Sequence, residues 1–116
     1  MKKINTYFIL ICISILIAYS CNDNIKLETD LFPVKIGGTW GYIDNSGKVV
    51  INNQFQSANL FSEGLARVQV NDKYGYIDRQ GTLIIKPAYT HGTLFSEGIA
   101  LVSTENGPLV YINKLG

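Results

Sequence analysis

Residues 60–68 read LFSEGLARV and residues 94–102 read LFSEGIALV, the same phrase 34 positions further on. Working outward, residues 40–73 (WGYIDNSGKVVINNQFQSANLFSEGLARVQVNDK) align without a gap on residues 74–107 (YGYIDRQGTLIIKPAYTHGTLFSEGIALVSTENG), and thirteen of the 34 positions are identical. Most other apolar positions exchange one apolar residue for another, as Val50 with Ile84 and Phe55 with Tyr89. A third start, VYINKLG at 110–116, echoes GYIDNSG at 41–47 with one residue inserted. Upstream, LFPVKIGGT at 31–39 occupies the place of LARVQVNDK at 65–73. A repeat region over 32–116 thus holds two complete units, 40–73 and 74–107, between partial units at 32–39 and 108–116.

A period of 34 is also that of helical tetratricopeptide units, but the apolar pattern here has a period of two. In LARVQV, Ala66, Val68 and Val70 fall on one side and Leu65, Arg67 and Gln69 on the other, which is the alternation of a strand. DNSG at 44–47 and DRQG at 78–81 place Asp first and Gly fourth, the chemistry of a type I turn between two strands. NDK at 71–73 joins two alternating runs and reads as a second hairpin loop. Each unit is therefore expected to hold three short antiparallel strands near 40–44, 48–52 and 65–70. An irregular segment should follow the second strand, since Pro87 in the copy would remove a ladder donor. The fold class is all-β.

The N-terminus is of another kind. MKKINTYFILICISILIAYSC at 1–21 has two lysines, an apolar run from Phe8 to Ala18 and small residues before Cys21. A run of about 11 residues falls short of the ~20 that span a bilayer, and the arrangement is that of a secretory signal. IAYSC resembles the lipobox of bacterial lipoproteins, with Ser20 and Cys21 in the two closing places and Ala18 and Tyr19 departing from the commonest residues. The resemblance implies cleavage before Cys21 and lipidation of its sulfur. It also implies a protein anchored in a membrane of the bacterial envelope, the outer membrane favoured because Asn22 rather than an aspartate follows the cysteine. Residues 21–31 then form a polar tether.

Cysteine usage agrees with that address. Only Cys12 and Cys21 occur, and Cys12 would leave with the signal, so no disulfide or zinc framework is expected. The net charge is +1. Loss of Lys2 and Lys3 with residues 1–20 brings the remainder near −1, which excludes the basic footprint of a nucleic-acid binder.

From Trp40 to Gly107 the chain resembles the WG-containing repeat of bacterial proteins: Trp or Tyr before Gly, then Tyr-Ile-Asp, a Gly, and Phe-Ser-Glu-Gly-hydrophobic-Ala. Tyr74 replaces the tryptophan in the second unit, and Leu109 and Val110 replace the Trp-Gly pair in the third. The resemblance implies an all-β repeat without an assigned general activity.

Each candidate site has a plainer structural alternative. Glu63 and Glu97 could form an acid–base pair, but that chemistry needs two unlike environments, and identical phrases offer one environment twice; capping of backbone donors is the better reading. Asp44 and Asp78 supply one carboxylate each, too few for a calcium loop. His91, the single histidine, lacks companions for a metal site and reads as a loop residue. Trp40, Tyr42, Tyr74 and Tyr76 alternate along strands and could offer a ligand-binding strip, with core packing as the alternative. Leu60, Phe61, Leu94 and Phe95 are expected to pack inward.

No enzyme, metal or cofactor is expected. The expectation is a membrane-anchored binding or interaction module for a protein or glycan partner, with self-association through open sheet edges as a further possibility. The alternatives are a structural envelope lipoprotein without a ligand and a glycan binder using the aromatics.

Overall fold

The computed structural model describes residues 29–116, so the signal and lipidation expectations at Cys21, and most of the tether, lie outside the described residues. Ten strands follow in order: β1 (Phe32–Ile36), β2 (Thr39–Ile43), β3 (Val49–Phe55), β4 (Ser57–Ala58), β5 (Ala66–Val70), β6 (Lys73–Ile77), β7 (Leu83–Tyr89), β8 (His91–Gly92), β9 (Ile99–Ser103) and β10 (Val110–Asn113). The described residues contain no helix.

The strands form three antiparallel sheets, ordered β1-β2-β3, β4-β5-β6-β7 and β10-β9-β8. Sequence units and sheets are out of phase. The last strand of the first unit, β5, does not return to β2 and β3 but makes a hairpin with β6 of the second unit, pairing Ala66 with Ile77 and Val70 with Lys73. The 34-residue translation is kept in the register: Phe32 faces Ile43 as Ala66 faces Ile77, and Trp40 faces Phe55 as Tyr74 faces Tyr89.

Turns follow the local chemistry. The Asp44 carboxylate accepts from the backbone N–H of Ser46 and Lys48, and Asp78 does the same for Gln80 and Thr82. The β5–β6 loop is Asn71-Asp72, both at positive φ (49° and 63°), as a type I′ hairpin requires and as asparagine and aspartate tolerate.

Two cores lie between successive sheets. Tyr42, Ile51 and Phe55 of the first sheet bury against Ala66, Val68 and Ile77 of the second. Leu65, Tyr76 and Ile85, on the opposite side of the second sheet, bury with Phe95, Ala100 and Val102. The alternation read in LARVQV is therefore correct, and Leu65, on the other side, joins a second core, so the middle sheet is covered on both faces.

Two expectations are corrected. Pro87 lies inside β7, not in a loop; β7 is an edge strand, and residues 86–88 form a bulge between the Tyr76–Ile85 and Tyr74–Tyr89 pairs, where the missing N–H breaks no ladder. Leu60 and Leu94 are exposed, while Phe95 is buried and Phe61 packs against the first core. Of each Leu-Phe pair, only the phenylalanine turns inward.

Candidate functional site

The repeated glycine after Trp40 or Tyr74 has a packing cause. A Cβ on Gly41 would stand 2.5 Å from the backbone oxygen of Ile51, and one on Gly75 2.6 Å from that of Ile85. The bulged strands β3 and β7 cross directly over these glycines. This closeness leaves the flanking aromatics on one face of the strand, and Tyr42 and Tyr76 are 0 % and 1 % exposed.

Both tyrosines serve the same joint. The Tyr42 hydroxyl donates to the Asn59 carbonyl at 2.7 Å, and the Tyr76 hydroxyl to that of Thr93 at 2.7 Å. Each ring meets the phenylalanine of its own unit with centroids 5.0 Å apart, Tyr42 with Phe61 and Tyr76 with Phe95. Burial raises the Tyr42 pKa well above its ordinary 10. Burial also raises that of Tyr76, opposed by the nearby Arg67 charge and reinforced by Tyr89. Trp40 and Tyr74 are half-buried, Trp40 against the first core. The Arg67 guanidinium lies 4.7 Å over the Tyr74 ring and donates to Asn59 Oδ1 at 3.0 Å and to the Gly92 carbonyl. The expected strip is thus interior at Tyr42 and Tyr76 and covered in part at Trp40 and Tyr74.

The Ser-Glu-Gly part of the phrase ties one unit to the next. Ser62 Oγ donates to the Phe95 carbonyl at 2.6 Å, and the Glu63 carboxylate accepts from the Gly98 N–H at 3.0 Å. Lys114 Nζ donates to the Glu63 carbonyl at 2.8 Å and stands 3.8 Å from its carboxylate. Glu63 and Glu97 sit at positive φ (53° and 52°), each followed by a glycine at φ +83° or +81°. The Glu63 carboxylate thus caps a backbone donor of the following unit.

One open cleft of about 550 Å³ lies beside His91, lined by Asp72, Lys73, Thr90, Ser103, Thr104, Glu105, Asn106 and Gly107. Its origin can be read from the repeat. In the first unit Gln56 clasps the Asp72 turn, donating to Asp72 Oδ1 at 3.0 Å and accepting from its N–H at 2.7 Å. Thr90 replaces Gln56 and Ser103 replaces Gln69 in the second unit, and these shorter side chains leave the space open. His91 Nδ1 lies 3.2 Å from Thr90 Oγ1 and 3.4 Å from Ser103 Oγ, and Lys73 and Glu105 form an ion pair of 3.5 Å across the cleft. Among the described residues no carboxylate is bonded to His91, so the Ser103–His91 contact lacks there the orienting group of a hydrolytic triad. Among the described residues no group of three or more His, Cys, Asp or Glu could hold a metal ion.

The sequence presents His91 as the single histidine and as a loop residue; it lies instead in β8. The cleft leaves one trace in the sequence, since every lining residue differs from its counterpart in the other unit.

Strand exchange between stacked sheets, with the residues shared by the units spent on the joints, defines a β-repeat protein. The chain belongs to the WG-containing repeat family: the family model for the WG containing repeat matches residues 40–74 and 74–107. No curated protein and no solved structure matches the chain. The family is a repeat module of uncertain role.

Proposed function

We propose that the chain is a binding module of the bacterial cell envelope, lipid-anchored at Cys21 after loss of residues 1–20 and carried on a short tether over 21–31. The repeat domain presents the His91 cleft to a polar segment of a protein or glycan partner.

One observation carries the binding part. The residues the units share are committed to turns, bulges and joints, whereas those lining the cleft are unshared: Lys73 for Gly107, Thr90 for Gln56, His91 for Ser57, Ser103 for Gln69. Fold maintenance asks for the same residue in each copy; a recognition surface is free to differ. The cleft offers a cation, carboxylates, hydroxyls and an imidazole, and few apolar groups, which suits a hydrogen-bonding ligand. The burial of Tyr42 and Tyr76 weighs against stacking of sugars on the aromatic series.

Two measurements test the reading. Mass spectrometry of the mature N-terminus should find an acylated Cys21; an intact Met1 or an unmodified Cys21 refutes the anchor. Retention of envelope components by the chain should fall at least tenfold in a Lys73→Ala, Thr90→Val, His91→Ala variant that melts like the parent. Equal retention by both removes the cleft from the function.

A further inference from the structure

The three sheets stack by repeated translation, and the outermost faces of the stack are the two halves of the interface that recurs inside it. On the first sheet, the face turned away from the core carries Phe32, Val34, Ile36 and Ile43. These occupy the places of Ala66, Val68, Val70 and Ile77, which in the middle sheet cover Tyr42 and its neighbours. On the last sheet, the outward face carries Ile99, Leu101, Leu109 and Tyr111. These occupy the places of Leu65, Arg67, Tyr74 and Tyr76, of which Leu65 and Tyr76 bury with Ala100 and Val102. Every one of the eight side chains is apolar or aromatic. Tyr111 is 71 % exposed where Tyr76 is 1 %, and Phe32 is 43 % exposed where Ala66 is 0 %. Phe32, Ile36, Ile99, Leu109 and Tyr111 are exposed, and Val34, Ile43 and Leu101 half-buried.

We infer that a second copy of this chain docks head to tail, laying its Phe32–Ile43 face on the Leu101–Tyr111 face of the first. The interior joints show what each face accepts, because one contact type already occurs twice within the chain. The outer faces also differ from the inner ones in compensating ways. Phe32 is larger than the Ala66 and Ala100 it stands for, while Leu101 and Leu109 are smaller than Arg67 and Tyr74. Loss of the Arg67 charge at Leu101 also removes a group that needs polar partners. The contact is heterologous, using a different patch on each copy, and it propagates as an open array rather than closing as a dimer. It is a face contact, distinct from edge pairing of β3, β7 or β10, and it stands independently of the cleft.

The test uses the full chain with p-benzoylphenylalanine in place of Tyr111, an exposed position that the fold does not depend on. Equal amounts of ¹⁴N- and ¹⁵N-labelled chain are mixed and irradiated, and crosslinked peptides are sequenced by mass spectrometry. Head-to-tail docking gives mixed-isotope crosslinks to residues 32–36, and Phe32→Lys reduces them at least tenfold without altering the melt. Crosslinks to residues 1–28 of the same chain would show that the leader covers this face and would overturn the proposal. Crosslinks between edge strands, or none between copies, would overturn it as well.

Discussion

At the scale of single residues, glycine and tyrosine carry the fold. Gly75 lies under the bulge of β7 with no space for a methyl group, so Gly75→Ala forces backbone apart. The expected loss is about 2–3 kcal/mol, the upper range for overpacking, and a urea titration reads it. Gly64 has open space around it but sits at φ +83°, closed to a branched side chain; Gly64→Val should lose about 1–3 kcal/mol through backbone strain alone. Tyr42 makes stability depend on alkaline pH. Its folded pKa is raised by burial, so above pH 10 the unfolded chain gives up this proton while the folded one keeps it. Stability is full below pH 10 and falls as pH rises beyond it. Thermal melts between pH 8 and pH 11 should show this decline, and Tyr42→Phe should flatten it while losing about 1 kcal/mol at neutral pH with the bond to Asn59.

At the scale of elements, the joint decides more than the strand. The Glu63 carboxylate spans from one unit to the Gly98 N–H of the next, and a glutamine keeps an oxygen for that bond. Glu63→Gln should therefore change stability by less than about 0.5 kcal/mol, as for surface substitutions generally. Ser62→Ala removes a 2.6 Å bond to the Phe95 carbonyl and should lose about 1 kcal/mol; chemical denaturation of both variants separates them. The sequence shows these elements unevenly. The DNSG, DRQG and NDK turns are legible because turn chemistry is local. The alternation in LARVQV is legible because it has a period of two. The bulges over Gly41 and Gly75 are not, because a register shift depends on the partner strand. Pro87 misled for the same reason: its tolerance comes from an edge position that only the sheet order reveals. The exposed Leu60 misled because an apolar residue in an irregular segment has no periodicity to orient it.

At the scale of the molecule, the repeat is a stacking rule. Each sequence unit gives two strands to one sheet and hands its last two to the next, so neither sheet nor unit is complete alone. Such interlocking joins the three sheets into one cooperative body, in contrast to beads on a string. Truncating Phe95, which fills the second core, should then lower the whole transition by about 3–5 kcal/mol; two separate transitions would show independent sheets. The period, the unit count and the all-β class are legible in residues 40–107, but the cleft is not, since it is assembled from the β5–β6 turn, the start of β8 and the segment after β9, whose meeting the sequence does not show.

The repeated Leu-Phe-Ser-Glu-Gly phrase is a joint holding each aromatic strand against the following segment. A nuclear Overhauser spectrum of the chain checks this. Strong ring-to-ring contacts are expected from Tyr42 to Phe61 and from Tyr76 to Phe95, together with a contact from the Ser62 side chain to Phe95 across the units. Tyrosine rings exposed to solvent, with no contact to either phenylalanine, would contradict it.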